Sequence, residues 1–145
     1  MKLLTQTNNK LQSWAMLLVR LAAGIVLFAA GAGKVFGWFG GYGLETTVKM
    51  FTENLGIPAA LAYICAFTEL IGGLFLIVGF LTRPAAFALT INMFVATVVV
   101  WPKGFMSAGG GAAFPLTLLL CCIAILLAGP MCCSLDALCC CKNKE

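Results

Sequence analysis

IPAALAYICAFTELIGGLFLIVGF, residues Ile57–Phe80, holds a single charged side chain, Glu69, near its centre. At ~1.5 Å rise per residue such a run crosses a ~30 Å hydrocarbon core as a helix. A carboxylate at that depth costs at least ~2.5 kcal/mol, so it faces the interior of a bundle and finds a partner there. Two readings of Glu69 follow. It is a structural ion pair or hydrogen bond between helices, or it is part of a proton, ion or ligand site.

Three further apolar runs flank this one: Trp14–Gly33, Pro84–Trp101 and Ala112–Ala128. The last is the shortest and spans only by starting near Gly109–Gly111. Hydrophobic residues make up 62% of the chain and charged residues 10%, which excludes an ordinary soluble domain. Too little chain remains outside the four runs for a second domain. The expected fold is therefore all-α: one integral membrane four-helix bundle over residues 1–145. The first run is longer than the ~7–15 residues of a signal-peptide core and contains Arg20, so it reads as an uncleaved span.

Lys and Arg set the orientation. Lys2, Lys10, Arg83, Lys142 and Lys144 fall on the side of both termini, against Lys34, Lys49 and Lys103 on the other. Both termini are expected in the cytoplasm. Trp14, Trp38 and Trp101 sit at the expected boundaries. The external segment Lys34–Gly56 opens with aromatics alternating with glycine. It continues as Leu44–Leu55, where Leu44, Val48, Phe51 and Leu55 recur at helical spacing opposite Glu45, Lys49 and Glu53. This predicts a short amphipathic surface helix.

Counting from these boundaries, Glu69 lies ~18 Å below the outer edge, Arg20 ~9 Å above the inner edge and Asn92 ~12 Å above it. Arg20, Glu69 and Asn92 are thus expected in one buried polar layer, either a structural lock between helices or a ligand site. Gly24, Gly72 and Gly73 permit close helix approach. Lys34 and Trp38 are expected at its outer mouth, and Arg83 in the tight inner loop.

The eight cysteines include Cys132, Cys133, Cys139, Cys140 and Cys141 in the expected cytoplasmic tail, where thiols stay reduced. They are candidate ligands for a soft metal, although adjacent pairs lack the C-x-x-C spacing of structural zinc sites. Histidine is absent, few carboxylates remain for hydrolytic chemistry, and no nucleic-acid signature is present. The chain is expected to meet membrane lipids and other membrane subunits, not nucleic acid.

RLAAG (Arg20–Gly24), GAGKVFGWFGGYGLET (Gly31–Thr46), LGIP (Leu55–Pro58), ELIGG (Glu69–Gly73) and GFLTRPAA (Gly79–Ala86) follow in order. WPKGF (Trp101–Phe105), GGGAAFP (Gly109–Pro115), Gly129-Pro130 and SLDAL (Ser134–Leu138) complete the set. Together they closely resemble the DoxX family along nearly the whole chain. The resemblance implies a small four-span protein of the bacterial inner membrane, with relatives in quinone-coupled redox systems and oxidative-stress complexes. Departures stand at Ala30, where the family usually has His, at Ala113, where Glu is common, and at Lys103, where Asn is common. They favour an accessory or scaffold subunit of a quinone-linked redox or respiratory complex. The other readings are a stand-alone quinone- or thiol-linked oxidoreductase and a soft-metal thiol carrier.

Overall fold

The first helix outruns its expected span at both ends. In the computed structural model, which describes residues 9–106 and 111–129, α1 covers Asn9–Phe36, not Trp14–Gly33. Below Trp14 it continues through the mostly polar Asn9–Ser13. At the other end it stops only where Gly37 adopts a left-handed conformation (φ 73°) and donates its N–H to Gly33 O at 3.1 Å. A 3₁₀ turn, Trp38–Gly40, follows, with Phe39 itself at φ 55°.

The surface helix α2 runs Gly43–Leu55, as the spacing predicts. Its buried Thr47 hydroxyl donates to Gly43 O at 2.7 Å. Gly56 ends it in the left-handed region, with Ile57 N–H on Phe51 O at 3.0 Å. Pro58 then caps α3, Ala59–Val78. That helix stops two residues short of Phe80, because Gly79 turns left-handed and donates to Phe75 O at 2.8 Å. α4 covers Thr82–Val100, and α5 covers Ala113–Ala128.

The described helices pack as a bundle. α1 makes its most extensive contact with α3, α4 with α5, and α3 bridges the two pairs. α2 lies against α3 and α1. α1, α3 and α4 are long and apolar enough to cross a membrane, while the sixteen-residue α5 is shorter.

Burial runs opposite to that of a water-soluble bundle. Gly72, Gly73, Ala62, Ala66, Glu69 and Thr97 are inside, whereas Leu18, Ile25, Leu61, Ile64, Ile91, Phe94, Leu120 and Leu127 are exposed. Lipid tails are as apolar as leucine, so outward Leu and Phe cost nothing in a bilayer. Small and polar residues then drive the helices together. A continuous core of Leu27, Leu76, Leu89, Cys122 and Ile125 fills the remaining interior.

Candidate functional site

The α1–α3 seam fixes the register from which the site is built. A Cβ at Gly31 would fall 2.4 Å from the backbone nitrogen of Leu70, and one at Gly73 would fall 2.5 Å from that of Phe28. The two backbones touch there. Gly24 lies opposite Gly73 O and Ile77. Antiparallel packing in this register brings Lys34, three residues past Gly31, alongside the middle of α3.

Lys34 Nζ there donates to Glu69 Oε2 in an ion pair. Asn92, on α4, donates its Nδ2 to Cys65 O at 3.2 Å and to Glu69 Oε1 at 3.4 Å. The Cys65 thiol stands 3.9 Å from Glu69 Oε1, one turn back along α3. Glu69 is 2% exposed, while the Lys34 side chain is 29% exposed, so the pair is closed on the carboxylate side and open beside the ammonium. Three helices thus contribute a cation, an anion and an amide to one layer.

Lys34, placed at the outer mouth by its sequence position, turns inward and takes the role expected of Arg20. Arg20 is buried (4% exposed), but it sits eleven residues before Gly31, about 16 Å down the α1 axis. One turn below Gly24, it lies level with the α3–α4 turn rather than with Glu69. The depth count failed because it took Trp14 as the inner edge, whereas glycine contacts set the register. Glu69 and Asn92 do share a layer. Ala30, where the resemblance leads one to expect His, lies one helical turn before Lys34 on the same face.

Trp38 is exposed, as are Phe36, Phe39 and Tyr42 around it. The Phe36 and Trp38 rings meet at 5.1 Å between centroids. Glycine lets this aromatic tip fold back onto α1. A Cβ at Gly41 would fall 2.2 Å from Gly33 O, so no other residue lets the loop fold back this closely. Arg83 is exposed at the start of α4, its guanidinium resting against Gly129.

Among the described residues no group of three His, Cys, Asp or Glu side chains is placed to hold a metal. Cys132, Cys133, Cys139, Cys140 and Cys141 lie outside the described residues. A quinone or lipid carbonyl could be met at the layer by Lys34 and Asn92 as donors, with Glu69 as proton acceptor.

Comparison with known proteins adds two findings. The family model described as DoxX matches residues 15–102. The chain is also 33% identical over 129 residues to "Putative oxidoreductase CatD" of Bacillus subtilis (strain 168), covering 88% of this chain and 89% of that protein. No solved structure matches this chain.

Proposed function

The chain belongs to the DoxX family, and on that premise we propose that it is an accessory subunit of a quinone-linked redox or respiratory complex. It would sit in the bacterial inner membrane as a single domain with both termini cytoplasmic. The inward turn of Lys34 carries this reading. Lys34 and Asn92 both donate to Glu69, so the polar capacity of the layer is used to lock α1, α3 and α4 together. Beside it the aromatics Phe36, Trp38, Phe39 and Tyr42 stand exposed. Aromatic residues of this kind anchor subunit interfaces.

Trp38→Ala with Phe39→Ala tests it, by native purification from membranes and identification of the co-purifying subunits. The expected result is a folded protein that has lost its partners. A double variant that keeps its partners but loses quinone-dependent turnover would overturn the docking role. Turnover by the purified wild-type chain alone would do the same.

One observation favours a second reading, a stand-alone quinone- or thiol-linked oxidoreductase. The ion pair is open beside Lys34 and has the Cys65 thiol next to it. In that reading Lys34→Gln abolishes turnover without releasing any partner.

A further inference from the structure

The outer surface of the α3–α4 pair carries a groove that the polar layer does not use. Thr68, Ile71 and Phe75 form one wall, and Leu81, Pro84 and Ala88 form the other. It exists because Gly72 and Ala85, between the walls, have almost no side chain. From Thr68 to the turn at Leu81 it follows about 15–20 Å of helix axis, close to half of a ~30 Å hydrocarbon core. Its volume is about 240 Å³ and its lining is almost wholly apolar, a narrow slot between two helices rather than a cleft wide enough to take a third. A single extended hydrocarbon chain fits; a partner helix does not enter.

The mouth of the groove supplies the other half of a ligand. Leu81 and Pro84 line its end, and Arg83 stands between them in sequence, exposed on the α3–α4 turn. Among the described residues no carboxylate forms an ion pair with Arg83; the two ion pairs present use Lys34 and Lys49. Its guanidinium rests against Gly129, just past the end of α5, so the charge is held at the level of the helix ends. A fixed cation above a one-leaflet apolar slot complements a molecule with an anionic head and a hydrocarbon tail.

We infer that the α3–α4 groove seats one acyl chain of an anionic glycerophospholipid whose headgroup phosphate is held by Arg83. This site is separate from the Lys34–Glu69 layer, and it stands or falls independently of the function proposed above.

The test is native mass spectrometry of the delipidated full chain in detergent, with phosphatidylglycerol or phosphatidylcholine titrated in. Wild type should retain one phosphatidylglycerol and prefer it over phosphatidylcholine by about fivefold, the increment of one basic residue near a charged headgroup. Arg83→Gln should remove the preference, and Ala88→Phe should fill the slot and remove retention of both lipids. Equal retention of both lipids by wild type overturns the Arg83 assignment. Undiminished retention by Ala88→Phe overturns the groove, as does a second copy of the chain or another protein occupying it. A photoactivatable acyl chain on wild type provides a check that needs no variant. Adducts should concentrate on Ile71–Phe75 and Pro84–Ala88, and an even spread over the exposed faces of α1 and α5 overturns the proposal.

Discussion

The α1–α3 seam and the α4–α5 seam are built from opposite materials. Between α1 and α3 glycines let the backbones touch at Gly31–Leu70 and Phe28–Gly73, and the seam ends in a charged pair. Around α4 and α5 the interior is Leu89, Met93, Leu118, Cys122 and Ile125, side chain against side chain. In water both seams would gain from hiding apolar area. In lipid that gain vanishes, and what holds helices is close contact and polar linkage. The first seam has both, while the second is filled mainly by side-chain packing. The site therefore sits where its support is geometrically least forgiving.

Two substitutions should break the first seam. Gly31→Val places branched carbons where even a Cβ meets Leu70 backbone at 2.4 Å. Two packed helices cannot relax around backbone, so the cost exceeds the ~1–3 kcal/mol usual for overpacking. The variant should fail to accumulate in membranes, or melt more than about 10 °C below wild type; near-normal melting would mean the backbones do not touch. Glu69→Gln comes next, leaving the Lys34 ammonium without its counter-charge. Breaking one partner of a buried pair costs ~3–5 kcal/mol, and the low end applies because Lys34 is partly exposed and can swing outward. Lys34→Gln added to Glu69→Gln should recover part of that loss in detergent thermal unfolding. No recovery would dissolve the pair as a stabilising unit.

The seams also differ in how much of them the sequence reveals. The helices themselves were legible, because apolar runs end at Gly37, Gly56 and Gly79, where left-handed backbone stops them. The amphipathic α2 was legible from Leu44, Val48, Phe51 and Leu55 against its charges. Register was not. A helix sliding one turn past its neighbour keeps the same composition, so counting from Trp14 put Arg20 beside Glu69 and left Lys34 outside. The missed signal was the glycine series Gly24, Gly31 and Gly73. Matching Gly24 and Gly31 across an antiparallel pair to Gly73 would have slid Lys34 down to Glu69. Asn92 was legible because α3 and α4 are joined by a tight turn that leaves little room to slide.

Ile125→Ala sharpens the comparison from the other side. Ile125 is 1% exposed in the interior of the second seam. With no transfer from water to lose, only the cavity remains, and we expect a cost of about 1–2 kcal/mol, below the ~2–5 of the same change in soluble cores. Thermal unfolding of the variant in bicelles measures it. A loss as large as that from Gly31→Val would show that the two seams do not differ in kind.

The smallest effect is expected at Asn92, and it separates architecture from chemistry. Asn92 joins α4 to the charged seam through bonds of 3.2 Å to Cys65 O and 3.4 Å to Glu69 Oε1. Hydrogen bonds between membrane helices average only ~0.6 kcal/mol, because the separated helices find other partners. Asn92→Leu keeps the branched shape without the amide and should lower unfolding stability by about that amount. If the layer only locks helices, activity of the host complex should fall in step with stability and stay near wild type for Asn92→Leu. If Glu69 exchanges a proton with a bound quinone, the same variant should lose most of its turnover while melting almost normally, because the amide that orients the carboxylate is gone. Measured side by side on one membrane preparation, the two readouts decide between the roles. The accessory reading requires them to move together.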